Sequence, residues 1–178
     1  MPTVPRRVVT GHDAQGASVF IADGPPPITR TAPDGAYFFE LWNTDATPAP
    51  IAPVEPEPTE RDLTVPPAPG GTKIRINEFP PGLVSPTHRT QTVDYGIVLE
   101  GEVVLVLDRL DHLDHENERV LRPGDVVVQR GTDHRWENRT DSVARMAFIL
   151  VDGVFTEELV ELIGADAAAG LLHDPMHP

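Results

Sequence analysis

The sequence predicts an all-β domain whose antiparallel strands form a sandwich or a barrel. Short runs rich in β-branched and aromatic residues recur along the chain, and turn residues separate them. Several runs alternate apolar with polar side chains, as strands with one covered face do. The 178 residues include 20 prolines and 14 glycines, which suits many turns better than long helices. We therefore expect one domain of short strands with an extension at each end.

The N-terminal residues predict a β-hairpin followed by a further strand. The runs RRVVTGH and ASVFIADG flank the turn DAQG between residues 6 and 23, and consecutive prolines at 25–27 end the second run. The run AYFFELWN, at 36–43, carries apolar side chains on both of its faces. Because such a strand needs cover on both sides, we predict a homodimer in which residues 6–23 or 36–43 pack on a second copy of the chain.

A proline-rich stretch from residue 45 to residue 70 predicts a loop. It contains eight prolines, which cannot donate to a strand ladder and which favour extended polyproline conformations. We expect this segment to cross the surface of the domain, and a lid over a cavity mouth is the sharper form of that prediction. A disordered linker is the alternative.

Residues 72–151 predict the core of the domain, with residues 1–71 packed on it. Ile74 and Ile76 share one face of the run TKIRINEF, and Arg75 and Asn77 share the other. The charged stretch DRLDHLDHENE is interpreted as a solvated turn rather than as a zinc site, despite its two histidines. The remaining core strands are predicted in the runs YGIVLEG, EVVLVLD, ERVLR, VVVQ, HRWEN and VARMAFILVDG.

Residues 152–178 form a predicted C-terminal tail with one short helix, TEELVELIG. Thr156 suits the N-cap position, two glutamates follow in the first turn, and Gly164 suits the C-terminal cap.

The segment from Phe79 to Gly101 carries the first group of residues that could perform chemistry. His88, Thr90 and Asp94 are separated by even numbers of residues. Because side chains alternate along a strand, these three residues are candidates for one face. Thr90 could hold a water molecule or contact a substrate, and it could equally be a space-filling residue.

A second segment, residues 122–138, supplies another histidine. His134 and Trp136 share a face by the same rule. With His88 and Asp94, His134 completes a set of two imidazoles and one carboxylate, which leaves open positions on a metal such as Fe(II). We predict that His88, Asp94 and His134 bind one divalent transition metal, which could be iron, manganese, nickel or zinc.

The spacing of these residues resembles the two motifs of the cupin superfamily. The family's first motif runs from glycine through two histidines and a glutamate to a second glycine, and its second motif joins two glycines, a histidine and an asparagine. Thr90 stands in place of the second histidine and Asp94 in place of the glutamate, and the second motif lacks its proline and one residue between its glycines. The matching positions are Gly82, His88, Asp94, Gly101, Gly124, Gly131, His134 and Asn138.

The resemblance implies a small single-domain cupin, that is, a jelly-roll barrel or double-stranded β-helix. It also implies a metal-dependent enzyme of dioxygenase, decarboxylase, isomerase, dehydratase or cyclase type. Its substrate would be a small oxygenated organic molecule, including aromatic or polyketide-like compounds. A non-catalytic cupin that binds small molecules is the alternative.

Three residues are predicted to act on the substrate: Thr90, Arg75 and Trp136. An inward-facing Arg75 would bind a carboxylate or enolate oxygen, and Trp136 would form a pocket wall. Arg75 on a solvent face and Trp136 as a core residue remain the alternatives, and Asp94 could orient a histidine instead of binding metal. In a metal-free site we expect one histidine to protonate beside the carboxylate.

Charge and composition exclude several other classes of function. The formal net charge of −14 disfavours nucleic acid and anionic membranes as partners. The chain has no cysteine, so it forms no disulfide and offers no thiolate ligand. The N-terminus lacks the apolar segment of a signal peptide, and no apolar run approaches the roughly 20 residues that span a bilayer. We expect a cytoplasmic protein that binds a small molecule.

Overall fold

A computed structural model describes residues 2–60, 64–107 and 117–170 of the chain. The predicted charged turn with His112 and His115 lies outside the described residues, apart from its last two, Asn117 and Glu118. The described elements are β1 Arg7–His12, β2 Ser18–Gly24, β3 Ile28–Thr31, β4 Tyr37–Thr44, β5 Thr72–Phe79, β6 Thr92–Glu100, β7 Val103–Leu107, β8 Glu118–Leu121, β9 Val126–Arg130, β10 His134–Glu137, β11 Ala144–Asp152, α1 Glu157–Ile163 and α2 Ala165–Ala169.

The strands form two antiparallel sheets and a separate hairpin. The larger sheet has the order β3-β4-β5-β11-β6-β9, the smaller has the order β10-β7-β8, and β1 pairs with β2. Apolar side chains from both sheets meet in one core, which is enclosed by alternating residues of each strand. The prediction of an all-β barrel is therefore confirmed. The buried core residues include Phe79, Val98, Val103, Leu105, Trp136, Met146, Phe148 and Leu150.

The N-terminal extension adds strands to the larger sheet. The structure confirms the hairpin and places the predicted strand at 37–44, where it pairs with β5 of the same chain. Phe39 on one face of β4 and Glu40 on the other are both fully buried. Cover for β4 therefore comes from its own chain, so this strand no longer supports a partner and the hairpin is the remaining basis for the predicted homodimer. Strand β3, at 28–31, was not predicted.

The hairpin exposes a set of apolar side chains. Phe20 is 76% exposed, Ile21 is 54% exposed and Val8 is 45% exposed. Arg7 ties the hairpin to the rest of the chain: its guanidinium donates to the Leu41 carbonyl of β4 at 3.0 Å and to the Glu57 carboxylate of the proline-rich loop at 2.7 and 3.0 Å. The exposed apolar face is thus available to another molecule.

The described parts of the proline-rich segment form a loop that lies against the barrel. The ammonium group of the buried Lys73 donates to the carbonyl oxygens of Thr64 and Val65, and Asn43 Nδ2 donates to the Pro58 carbonyl at 3.4 Å. These contacts bring the Val65 side chain to the wall of the central cavity. The loop prediction is confirmed, and its position agrees with the lid interpretation.

The C-terminal helix forms where it was predicted. The Thr156 hydroxyl accepts a hydrogen bond from the Leu159 amide at 3.3 Å, and the Gly164 amide closes the last turn on the Val160 carbonyl at 2.9 Å. The short helix α2 was not predicted. None of the helices in the described part of the chain is long and apolar enough to cross a membrane.

The glycines of the two sequence motifs have a shared backbone requirement. All four adopt positive φ angles, which L-residues with a side chain rarely adopt. Two of these glycines differ in how much space surrounds the position of a Cβ atom. A Cβ atom at Gly101 (φ 71°) would lie 2.6 Å from the Val143 carbonyl oxygen, whereas a Cβ at Gly124 (φ 94°) would meet nothing within 4 Å.

Replacing these two glycines with alanine should separate backbone strain from steric overlap. We expect Gly124→Ala to cost about 1 kcal/mol in the free energy of unfolding, from the positive φ alone. Gly101→Ala should cost about 3 kcal/mol, because the overlap with Val143 adds to the same strain. Urea unfolding measures both values, and equal losses would contradict the proposed crowding at Gly101.

Candidate active site

A cavity of about 360 Å³ lies inside the barrel, between the two sheets. Its wall includes the β3–β4 turn and Val65 of the proline-rich loop. Aromatic side chains form much of the wall, and β5, β6 and β10 add polar side chains to it. All six residues predicted to carry the site line this one cavity: Arg75, His88, Thr90, Asp94, His134 and Trp136.

The two histidines are held next to each other by their own backbones. The His88 amide donates to the His134 carbonyl at 2.9 Å, and the His134 amide donates to the His88 carbonyl at 3.0 Å. The ring centroids are 4.3 Å apart. Each Nδ1 lies 2.9 Å from a carbonyl oxygen two residues earlier, that of Pro86 or Thr132, so each Nδ1 carries the proton. The lone pair on each Nε2 is therefore left for another partner.

Burial keeps both imidazoles neutral. The pKa of His134 is lowered to about 3 by burial and by the neighbouring ring of His88. Burial also lowers the pKa of His88, and the nearby Arg75 charge lowers it further. Burial therefore opposes the expected protonation of one histidine beside a carboxylate, and the ring N–H groups bond to backbone carbonyls and not to Asp94.

Asp94 lies on β6 and faces the same cavity. Its side chain is only 6% exposed, and its Oδ1 atom has no hydrogen-bond partner. Burial raises the pKa of Asp94 to about 6, although the Thr92 hydroxyl and the Arg75 charge partly offset this shift. A buried carboxylate oxygen without a partner is costly unless a cation or a hydrogen-bond donor reaches it.

Thr90 occupies the position of the missing histidine. It is 3% exposed, and its hydroxyl lies 2.8 Å from the Thr92 hydroxyl. Thr90 lines the cavity as Asp94 does, whereas Thr92 does not, so Thr90 brings a neutral hydroxyl to the cavity wall.

Arg75 points into the barrel, and the alternative of a solvent-facing arginine is wrong. Its guanidinium lies over the Phe38 ring, 4.6 Å from the centroid, and its Nε and Nη1 atoms have no partner. Burial lowers the pKa of Arg75, while the charges of Glu40 and Asp94 oppose that shift. Sequence reasoning missed Glu40, which faces Arg75 across the β4–β5 pairing.

Trp136 serves both as cavity wall and as core residue. Its ring centroid lies 5.4 Å from that of Phe148, 6.5 Å from that of Phe79 and 5.7 Å from that of His134. The aromatic rings thus connect the polar side of the cavity to the apolar core.

The side chains in the cavity are of the types that bind a transition metal, but they are not close enough together to hold one ion. Neutral imidazoles with free Nε2 atoms and an unpartnered carboxylate oxygen are typical ligands. Across the three described ranges, however, no three His, Cys, Asp or Glu side chains are grouped closely enough to hold one ion. His88 and His134 form an adjacent pair, and Asp94 lines the same cavity apart from them.

A small antiparallel barrel with two motif histidines in its cavity is the architecture of a cupin. The chain belongs to the cupin superfamily: the Cupin domain family matches residues 75–151, and relatives of that family match most of the chain. Phomopsin biosynthesis cluster protein C' of Diaporthe leptostromiformis is 36% identical and covers 94% of this chain and 88% of its own length.

Two further relatives are named cupin-domain-containing oxidoreductases. The protein fogC of Aspergillus ruber is 36% identical over 82% of this chain and 71% of its own length. The protein virC of Hypocrea virens is 33% identical over 82% of this chain and 75% of its own length. Among solved structures, the cupin domain of Schizosaccharomyces pombe Cnp3 is 12% identical, with a TM-score of 0.49, over 93% of this chain and 94% of that one.

The raised pKa of Asp94 predicts a pH-dependent stability in metal-free protein. The folded state holds the Asp94 proton more tightly than the unfolded state, whose pKa is near 3.8. The free energy of unfolding therefore loses a contribution of about 3 kcal/mol as pH rises from about 4 to about 6. We expect Asp94→Asn to remove this loss. The free energy of unfolding of the variant, relative to that of the wild type, should therefore rise across that pH interval and stay constant above it.

Urea unfolding of chelator-treated protein at a series of pH values measures this difference. A difference between variant and wild type that stays constant from about pH 4 to about pH 7 would contradict a raised pKa for Asp94.

Proposed function

We propose that this chain is a metal-dependent cupin enzyme that acts on a small oxygenated organic molecule. The observation that supports this proposal best is the convergence on one aromatic-walled cavity of two histidines with a carboxylate and an arginine that each keep buried atoms without a hydrogen bond. The relatives named oxidoreductases, and the relative named for a biosynthesis cluster, favour an oxidoreductase-type reaction on a biosynthetic intermediate.

The metal in this proposal is one divalent ion of iron, manganese, nickel or zinc. His88 and His134 would bind it through Nε2, since each Nδ1 is already committed to a backbone carbonyl. The Asp94 carboxylate would supply a third donor through its unpartnered oxygen. Such an ion supplies Lewis acidity towards a carbonyl or hydroxyl oxygen and, if it is iron, redox chemistry with O₂.

The chain's own side chains bind and orient the substrate in this proposal. Arg75 donates hydrogen bonds from a guanidinium that Phe38 holds in place. Trp136 and Phe148 pack against the apolar part of the substrate and exclude water, which strengthens polar contacts inside the cavity. Thr90 offers a hydroxyl to a substrate oxygen or to a water molecule.

A non-catalytic small-molecule-binding cupin is the second candidate. It is favoured by the spacing of Asp94 from the histidine pair, since no three-donor group forms among the described residues. The substitution of Thr90 for a motif histidine points in the same direction. Stoichiometric transition metal in the purified protein supports the enzyme, and protein that binds no added metal supports the binding module.

Metal occupancy should respond in opposite directions to two substitutions in the cavity. We expect His134→Ala to weaken binding of Fe, Mn, Ni or Zn by at least about 10-fold, because it removes a direct ligand, while the barrel stays folded. Thr90→His should strengthen binding, because it adds an imidazole beside His88. Elemental analysis after dialysis against a graded series of chelator concentrations measures both effects.

The exposed His12 provides the matched control, since His12→Ala removes a histidine far from the cavity and should leave occupancy unchanged. Full occupancy in His134→Ala, or no gain in Thr90→His, would transfer support to the binding module.

We also propose that the protein forms a homodimer through its N-terminal hairpin. Val8 and Phe20 present exposed apolar side chains on one face of the hairpin, and Tyr95, Val126 and Val128 present others on the outer side of the larger sheet. With a twofold axis each hairpin would cover the sheet of the other copy, so the same hairpin–sheet contact would form twice in the dimer.

Introducing a charge into the hairpin face should separate the two copies. We expect Phe20→Asp to give the mass of a single chain in light scattering at micromolar concentration, where the wild type gives twice that mass, because a buried carboxylate without a partner opposes association. Val154→Asp is the control, since Val154 is 83% exposed on the loop before α1. A wild-type protein with the mass of one chain would contradict the dimer.

A further inference from the structure

We propose that the cavity selects a neutral carbonyl compound with a flat apolar body over a carboxylate of the same size. This inference rests on the assignment of the cavity as the substrate site, and it names the chemical class of molecule that the site prefers. It differs from the sequence-based prediction, in which an inward arginine would bind a carboxylate or enolate oxygen.

Arg75 supplies the hydrogen-bond donors that recognise the ligand. The residue lines the cavity and is 6% exposed, and its Nε and Nη1 atoms have no partner. Buried donors without acceptors destabilise the folded protein, so a ligand that brings an acceptor oxygen offsets that cost. The Phe38 ring, 4.6 Å from the guanidinium carbon, restricts the plane in which the donors point.

The positive charge of Arg75 is already balanced by protein carboxylates. Glu40 is the register partner of Arg75 on β4, is fully buried, and has no hydrogen bond to either carboxylate oxygen. Glu40 is not among the residues that line the cavity, so its charge acts on Arg75 without a place in the cavity wall. Asp94 adds a second carboxylate on the cavity side, and the charges of both carboxylates act on Arg75.

An additional anion would therefore meet an excess of negative charge in a site with low polarisability. The Nδ1 protons of His88 and His134 are bound to backbone carbonyls, so neither Nδ1 donates to an anion in the cavity. A carbonyl oxygen accepts the same hydrogen bonds without adding charge, so it avoids the desolvation cost of a carboxylate.

The remaining walls define the apolar body of the ligand. Phe38, Phe79, Trp136 and Phe148 line the cavity, and Trp136 meets Phe148 edge to face at 5.4 Å. Aromatic walls favour flat apolar groups, and a volume of about 360 Å³ accommodates one ring with a short substituent.

Binding of three molecules of similar shape tests the inference. Acetophenone is a neutral carbonyl compound, benzoate is its anionic counterpart, and ethylbenzene has no acceptor oxygen. In chelator-treated protein at about pH 8, where benzoate and Asp94 are both ionised, we expect acetophenone to bind roughly 10- to 100-fold more tightly than either of the others. Calorimetry gives the affinities, and acetophenone labelled with ¹³C at the carbonyl should show a downfield shift on binding.

Variants of the buried charges identify the cause of the selectivity. Glu40→Gln leaves the Arg75 charge less balanced, so benzoate should gain at least about 10-fold relative to acetophenone. The double variant Arg75→Met/Glu40→Gln removes both charges, so neither is left buried without its counter-charge. This variant should bind acetophenone no better than ethylbenzene. Glu78→Gln is the matched control, because Glu78 is equally buried but lies on the outer face of β5 beside Arg145.

Two kinds of result would overturn the inference. One is tighter binding of benzoate than of acetophenone by the wild type, or no binding of any of the three. The other is an affinity ratio that Glu40→Gln does not change, or that Glu78→Gln changes equally. The experiment uses metal-free protein, so it separates the two proposals: a protein that never binds metal but prefers acetophenone refutes the metal-dependent function and supports the ligand class.

Discussion

The reciprocal backbone hydrogen bonds between His88 and His134 are the constraint on which the site depends. They belong to a short ladder of backbone hydrogen bonds. In the same ladder the Ser85 amide donates to the Trp136 carbonyl at 2.9 Å, and the Asn138 amide donates to the Leu83 carbonyl at 2.9 Å. This ladder joins the two motif segments at the cavity. Because the backbone fixes the positions of the two rings and nearby carbonyls fix their tautomers, both Nε2 atoms are prepared before any ligand arrives.

Local alternation predicted which side chains of β5 and β10 enter the cavity. The side-chain direction in a strand depends on whether the separation is even or odd, so the parity of Arg75 against Ile74 and the shared face of His134 and Trp136 carried through to the structure. The turn glycines were equally predictable, because positive φ angles restrict the residue type. These signals need no knowledge of how distant strands pair.

The features that sequence reasoning missed depend on strand pairing and burial. Glu40 meets Arg75 through the β4–β5 register, which shifts between Glu40 and Trp42 and so cannot be counted from either strand alone. Strand β3 has four residues after a run of prolines, too few to show a period. The neutral state of His134 follows from burial, and no spacing in the sequence reports burial.

The inward face of β5 shows how the barrel divides stability from function. In a barrel built only for stability, positions 73, 75 and 77 would be apolar, yet they hold Lys73, Arg75 and Asn77, all buried. Unpartnered atoms on Arg75 and Asn77 each cost about 1–3 kcal/mol. The apolar cluster that includes Phe79, Met146 and Phe148 supplies the compensating burial. Apolar replacements on this face would therefore tend to stabilise the fold while removing the groups that can recognise a ligand, which is why we interpret these side chains as functional.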